Sequence, residues 1–525
     1  MHLRPVIASV GLLAGSLVAL SGNPAQAAST RYEAEASPAV CTGTIDSDWA
    51  GFSGSGFCNG DNGTGGHAQF TVNASAVGTA TLKVRFANGT TTARAANIVV
   101  NGSTAATASF EGTGAWSTWA TKTLTVPLRS GSNTVRLSPT TSAGLPNIDY
   151  LDVETSGSDP QPTGPALYVS PNGTDGAAGT ESNPTTLTSA ISRISAGGTI
   201  YLRGGTYRYS QTVTVPAGRN GTSGDRTELF AYPGETPVLD FSAQSEDPAN
   251  RGLAVNASYW HVKGLVVERA GDNGIFLSGS NNVIERTVTR FNRDSGLQLS
   301  RTLSSTPKDQ WPSNNLILSA ESHDNVDSDG EDADGFAPKL TVGPGNVFRY
   351  TVAHNNIDDG YDLYTKTDTG PIGAVTIEDS LAYGNGTLSD GSQAGNGDRN
   401  GYKLGGDDIE VGHIVRRSIA HENGKHGFTY NSNTGAMQIS DNVSVGNEQR
   451  NFNFDSGSKS VYRGNTSCDS GSNDRIIGNS DSSNQFWSGS NGSRCSSYAG
   501  ALRWSFASDG RLVVTFGGSR AGGDQ

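Results

Sequence analysis

The sequence predicts an all-β chain in which a parallel β-helix follows a β-sandwich, and three observations carry that reading. A glycine-led apolar motif recurs from Gly274 to Phe454 with a period near 24 residues. Upstream, residues 28–156 alternate apolar and polar positions between turn signals. Glycine supplies 69 of the 525 residues, and Asn, Asp, Ser and Thr are abundant around it, as many short strands joined by tight turns require.

The repeat aligns on one glycine. Its copies are Gly274-Ile-Phe-Leu, Gly296-Leu-Gln-Leu, Gly335-Phe-Ala-Pro, Gly360-Tyr-Asp-Leu, Gly401-Tyr-Lys-Leu and Gly427-Phe-Thr-Tyr, with Asn451-Phe-Asn-Phe carrying Asn in the glycine place. Successive spacings are 22, 39, 25, 41, 26 and 24, the long ones holding polar inserts around 301–314 and 384–398. One strand pattern per period means coils stacked in a parallel β-helix. The pleat then sets direction. Ile275, Leu297, Phe336, Tyr361, Tyr402, Phe428 and Phe452 point inward, as do the residues two further on. Phe276, Gln298, Ala337, Asp362, Lys403, Thr429 and Asn453 point outward. The open end of the first coil needs a cover. Leu187, Ala190, Ile191 and Ile194 fall at helical spacing, so a capping helix is expected over 184–195.

Upstream of the repeat, Leu124, Val126 and Leu128 share one strand face, and Asn88-Gly89 and Asn101-Gly102 mark turns. About 125 residues of such strands predict a sandwich or jelly roll over 28–156. Residues 157–165 lack an apolar pattern and read as a linker, with the β-helix expected over 166–525. At the N-terminus, His2 and Arg4 precede an apolar run from Val6 to Leu20 and then Ala25-Gln26-Ala27, which predicts a secretory signal peptide over 1–27 and a secreted, extracellular protein. No later stretch approaches eighteen apolar residues, so no membrane partner is expected, and a monomer is. An oxidising compartment favours disulfides. Cys41, Cys58, Cys468 and Cys495 allow three pairings, of which the local one, Cys41–Cys58 with Cys468–Cys495, is expected. A net charge of −13 argues against a nucleic-acid partner.

The alignment brings chemistry together. Asp334 and Asp359 both precede the aligned glycine and should stack one coil apart, with Asp358 and Asp362 beside them. Four carboxylates on one patch repel one another, and an oxygen-only ligand set suits Ca²⁺. Lys403 holds the outward place of Asp362 one coil later, in Asn400-Gly-Tyr-Lys-Leu-Gly-Gly406, where Gly405 and Gly406 are expected to leave room around it. A hard cation beside an amine suits β-elimination on a uronic acid, with Lys403 removing the C5 proton. A free lysine has a pKa of about 10.4, so an alkaline activity optimum is expected. Lys339, Lys366 and Arg399 are candidates to grip a polyanion, which a bridging cation would reconcile with the acidic chain.

Asp332-Ala-Asp-Gly-Phe-Ala-Pro-Lys-Leu340, Asn356-Ile-Asp-Asp-Gly-Tyr-Asp-Leu363 and Asn400-Gly-Tyr-Lys-Leu-Gly-Gly406 resemble the motifs of polysaccharide lyase family 9 over roughly 166–500. The resemblance implies a right-handed parallel β-helix and a calcium-dependent pectate lyase acting on polygalacturonate, an acidic plant cell-wall polysaccharide. It implies Asp334, Asp358, Asp359 and Asp362 as calcium ligands and Lys403 as base. The family also contains rhamnogalacturonan lyases, so the polymer stays open at this point, and a non-catalytic binding β-helix is the third reading. His426-Gly427 with Asp358-Asp359 is similar to polygalacturonate hydrolases of the same fold, but their Asn-Thr-Asp and Arg-Ile-Lys motifs are absent. Tyr32-Glu-Ala-Glu-Ala36, Arg85-Phe-Ala-Asn-Gly89 and Pro146-Asn-Ile-Asp-Tyr-Leu151 resemble carbohydrate-binding module family 35. That resemblance implies a β-sandwich with a structural calcium held by Glu33, Glu35 and Asp149, and Asn147 at the sugar-binding end.

Overall fold

The computed structural model describes residues 29–74, 78–129, 131–155, 165–507, 509–517 and 519–520. The expected signal peptide at 1–27 and nearly all of the expected linker lie outside the described residues. The chain divides into two compact units, Met1–Ser158 and Asp159–Gln525.

The first unit is an antiparallel sandwich of a six-stranded and a five-stranded sheet. Alternation builds its core: Leu82, Val84 and Phe86 of the strand Gly78–Ala87 face Ile98, Phe110, Val135 and Leu137 of the opposite sheet. The first strand, Ser29–Glu33, pairs with the last, Asn147–Thr155, which draws the two ends of the unit together. Cys41 and Cys58 form a disulfide between strands of the two sheets.

In the second unit the strands from Thr199–Leu202 to Asn479–Ser480 pair in parallel with the strand three places away, and Ala166–Val169 joins the first of them, giving three long sheets of twelve, ten and ten strands among the described residues. That pattern is a parallel β-helix. The inward residues are as the repeat predicts: Ile275, Leu297, Phe336, Tyr361, Tyr402, Phe428 and Phe452 are fully buried. From Phe336 to Phe452 their rings form a column with centroids 5.2, 4.7, 4.5 and 5.1 Å apart. A second column is made of amides. Asn292, Asn325, Asn356, Asn385, Asn423 and Asn447 bond from coil to coil at 2.8–3.0 Å. Each follows a residue with positive φ, such as Phe291, Asp324 or Asn355, so the coil turns sharply and aims the amide at the next coil. These bonds satisfy polar groups that the core would otherwise leave unpaired.

The capping helix is shorter than its apolar pattern. It runs Leu187–Arg193, with the Thr186 hydroxyl accepting from the Ser189 N–H, and buries Leu187, Ala190 and Ile191. The far end of the unit differs from expectation. Coils stop at the strand Asn479–Ser480, and Leu502–Phe506, Leu512–Phe516 and Ser519–Arg520 form a separate antiparallel sheet. Val514 and Phe516 cover Val352, Leu381, Ile419 and Val443, which are outer-face residues of a coil sheet. The Cys468–Cys495 disulfide ties this closing segment to the last coils. No described helix is long and apolar enough to cross a membrane.

Candidate active site

The site lies on the outer face of the sheet that contains Phe336–Pro338, Tyr361–Asp362, Tyr402–Lys403 and Phe428–Thr429. Tyr361 pairs with Tyr402 and Asp362 with Lys403, so the base candidate stands on the next coil directly beside Asp362. Asp334, Asp358 and Asp359 are all buried, with carboxylate oxygens within 4.8 Å of one another. Asp362 stands outside that group, between two lysines. Its Oδ2 lies 3.3 Å from Lys339 Nζ and 3.7 Å from Lys403 Nζ. Lys339 is not displayed on the cleft as a polyanion grip. It is buried and donates to Asp334 Oδ2 at 2.7 Å, because the coil after Pro338 turns over the acidic patch.

Lys403 Nζ sits 3.3 Å from Asp359 Oδ2 and 3.1 Å from Asp398 Oδ2. Asp398 was not legible as a site residue: it ends the polar insert before the motif, where no repeat sets its register. The insert also wraps Asp358, whose Oδ1 accepts the backbone N–H groups of Asp398 and, at 3.3 Å, of Arg399. Asp359 Oδ1 accepts from Asn400 N–H at 2.6 Å and from its side chain at 2.9 Å. The other oxygen, Asp359 Oδ2, is buried and accepts no hydrogen bond among the described residues. Its approach to Lys403 is a charge contact only.

Burial first, and then neighbouring carboxylates, push Asp334 up to about 7 and Asp359 up to about 8, and lift Asp358 well above the carboxylate range. For Lys403 burial works downward, but Asp362, Asp359, Asp358 and Asp334 outweigh it and hold the ammonium above the usual lysine range. Lys425 joins the cluster through Asp398, at 2.6 Å. Five carboxylates are thus linked to three ammonium groups. Fully ionised, the cluster would lack two positive charges; that deficit, the oxygen-only donors and the buried Asp359 Oδ2, which has no hydrogen-bond donor among the described residues, all fit a divalent hard cation.

The glycines after Lys403 serve a different purpose from the one expected. A Cβ on Gly406 would lie 2.2 Å from the Tyr364 ring, and one on Gly405 2.4 Å from Asn433 Cβ. The space is filled by these neighbours, and Lys403 Nζ lies over the Tyr364 ring at 5.5 Å. Lys366 is exposed on the following loop and is not brought to the cluster by any ion pair among the described residues. Arg399 contributes its backbone N–H, while its guanidinium lies 3.7 Å from Glu448.

In the sandwich, Glu33, Glu35 and Asp149 cluster around one loop. Ser53 donates through Oγ to Glu33 at 2.7 Å and through N–H to Asp149 at 3.0 Å, and Ser55 N–H donates to Glu35 at 2.8 Å. Asp149 is fully buried, 3.0 Å from Arg85 Nε, and burial lifts its carboxyl to about 6. Asn147 begins the last strand, buried and paired with Ala87.

The fold and site define a parallel β-helix protein with a lysine set against a buried aspartate cluster. The family model for the Pel9A-like right-handed β-helix region matches residues 167–467, and the chain belongs to that family. The model for carbohydrate binding module family 6 matches residues 39–155. Over 323 residues the chain is 54% identical to pectate lyase L of Paenibacillus polymyxa (strain SC2), spanning 61% of this chain and 72% of that one. It is 44% identical over 292 residues to pectate lyase L of Thermoclostridium stercorarium, spanning 55% of this chain but 23% of that longer one. The crystal structure of pectate lyase Pel9A superposes with a TM-score of 0.57 at 31% identity, over 68% of this chain and 88% of that chain.

Proposed function

We propose that this chain is a pectate lyase, a polysaccharide lyase that cleaves polygalacturonate by β-elimination. The observation that carries the reading is the placement of Lys403 against Asp334, Asp358, Asp359 and Asp362, on a β-helix that belongs to the Pel9A-like family.

Lys403 takes the proton from C5 of a galacturonate ring. The electron pair left on C5 forms the C4–C5 double bond as the C4–O4 bond breaks. The leaving O4 collects a proton from solvent, and the new non-reducing end is a 4,5-unsaturated galacturonide. Asp359, Asp362 and Asp398 fix the lysine from three sides and limit its wandering. The Tyr364 ring lies under its Nζ at 5.5 Å. Asp334, Asp358 and Asp359 are the residues that would hold Ca²⁺, with Asp362 at their edge. Bound there, the ion would offset the aspartate charge that keeps Lys403 protonated and would stabilise charge developing on the substrate carboxylate.

The sandwich is read as a carbohydrate-binding module that holds the enzyme on its polymer and raises the local substrate concentration. Export through the signal peptide over residues 1–27 would place both units where plant cell walls are met. The test is the ultraviolet absorbance of the unsaturated product on polygalacturonate, with calcium and then with chelator. A rise that needs calcium and is lost in Lys403→Ala supports the reading. Absence of any rise, or a rise confined to rhamnogalacturonan, overturns it.

A further inference from the structure

We infer that a second uronate site, independent of any metal, lies one and two coils beyond Lys403 and is built by Lys425, His426, Tyr430, Asn431 and Asn453. It rests on the reading above and names where a neighbouring ring of the same polymer is held.

A cavity of about 330 Å³ opens there, lined by these side chains and by Asp455. Its size is at the small end of ligand pockets, suited to one polar ring. Lys403 pairs in register with Thr429, and Thr429 with Asn453, so the cavity continues the outer face that carries the base. Neighbouring strands are separated by about 4.8 Å. A sugar chain running along the β-helix would therefore meet a new coil with roughly every ring.

The lining is rich in donors without protein acceptors. Lys425 Nζ is paired with Asp398 at 2.6 Å, leaving two N–H groups of its ammonium. Burial pushes His426 down to about 4, so its ring is neutral. Its Nδ1 accepts the Arg450 N–H at 3.2 Å, which puts the ring proton on Nε2, where no acceptor stands among the described residues. The Tyr430 hydroxyl likewise has no described partner. Asn431 and Asn453 donate through their amides to Gly405 O and Thr429 Oγ1, which frees both Oδ1 atoms to accept from sugar hydroxyls. Among the described residues Asp455 is the only carboxylate in the lining, and it is bound by Arg475 at 2.5 Å, so these residues offer no seat for a cation.

The charge along the face turns over at the base. Two places before the aligned position stand Asp272 and Asp294 on the earlier coils, Ala333 and Asp358 on the coils of the site, Arg399 on the coil of Lys403, and Lys425 and then Gln449 beyond it. Substrate carboxylates on the later coils thus meet ammonium and N–H groups directly, as an ionised ligand prefers.

The test uses the full chain, its Lys425→Gln variant and, since Lys425 also touches Asp398, the Tyr430→Phe variant. Steady-state cleavage of polygalacturonate in calcium is compared with calorimetric binding of hexagalacturonate in chelator. The binding module is the same in all three proteins, so its contribution cancels. For Lys425→Gln we expect KM and the chelator-phase Kd to rise about tenfold, as loss of one charged hydrogen bond would give, with kcat moving less. Tyr430→Phe should raise both about threefold. Fully methyl-esterified hexagalacturonate should bind the wild type and Lys425→Gln alike. Unchanged KM and Kd in both variants, with polygalacturonate still cleaved, would overturn the site alone. So would a loss confined to kcat, since Lys425 would then act only through Asp398 on Lys403. If the wild type cleaves no polygalacturonate, the reading beneath falls and the site with it.

Discussion

Two groups of carboxylates in this chain use the same residue types in opposite ways. In the sandwich, Glu33, Glu35 and Asp149 come from the two paired ends of the unit and close around the Ser53–Ser55 loop, whose N–H and hydroxyl groups serve each of them. In the β-helix, Asp334, Asp358 and Asp359 come from successive coils, are packed within 4.8 Å, and depend on lysines for compensation. The first arrangement braces a fold. In the second, two adjacent coils add carboxylates to the same place, and the surplus is available for chemistry. Stacking coils makes this easy, because one position in the repeat recurs at strand spacing.

The largest effect should follow from removing the group that the crowded cluster holds. Lys403→Ala should lower turnover of polygalacturonate by about a thousandfold, the scale of a positioned proton acceptor. Retention of the far-ultraviolet spectrum and of polysaccharide binding would locate the loss in the chemical step. Activity within tenfold of the wild type would remove Lys403 from the role of base. Next is Asp359→Asn. Oδ1 of Asp359 is held by Asn400, while Oδ2 is buried without a hydrogen bond among the described residues and meets only Lys403. Turnover should fall about a hundredfold, and the calcium-dependent rise in Tm of the β-helix should vanish, while Tm in chelator stays near that of the wild type. A large drop in chelator would mean that Asp359 braces the fold as Asp149 does.

How much of this was legible depends on whether a residue belongs to the repeat. Tyr361, Tyr402 and Phe428 could be placed inside, and Asp362 beside Lys403, because the coil period fixes both register and facing. The asparagine column escaped notice because its members recur at 33, 31, 29, 38 and 24 residues, tracking the inserts. Asp398 lies in such an insert, where contacts distant in sequence, with Asp358, Lys403 and Lys425, decide where its carboxylate goes. Lys339 was misjudged since the covering turn after Pro338 is not written in the alternation. The closing sheet of 502–520 has ordinary strand alternation, but nothing local says that it pairs antiparallel rather than extending the coils.

A third effect separates the units by their response to acid. His413 is fully buried in the β-helix, with Nδ1 accepting the Val375 N–H at 3.1 Å and Nε2 without a partner among the described residues. Burial lowers it to about 3, so the folded ring stays neutral where the unfolded ring, near 6.5, takes a proton. The unfolded state then binds more protons between these values, and stability present above pH 6.5 is lost as pH falls toward 3. At pH 5 the cost is about 2 kcal/mol. His413→Asn, which can still accept from Val375, should flatten the acid limb of the β-helix melting transition and leave the sandwich transition unmoved, as followed by calorimetry from pH 7.5 to 5. An unchanged acid limb would assign acid sensitivity to other groups.

The smallest effect on catalysis should come from the braced carboxylates. Glu35 accepts from Ser55 N–H through Oε1, while Oε2 is buried without a partner among the described residues. It is therefore the member of its group with an oxygen to spare for a structural ion. Glu35→Gln keeps the first bond and removes the charge. Turnover of soluble trigalacturonate should fall less than twofold, because the base and the aspartate cluster are built in the β-helix. Adsorption to insoluble pectin should weaken several-fold, and the calcium-dependent part of the sandwich melting transition should disappear. If Glu35→Gln instead matched Asp359→Asn in lost turnover, the division between a bracing and a reacting carboxylate group would fail. Equal calcium shifts in variant and wild type would show that Glu35 needs only its Ser55 partner.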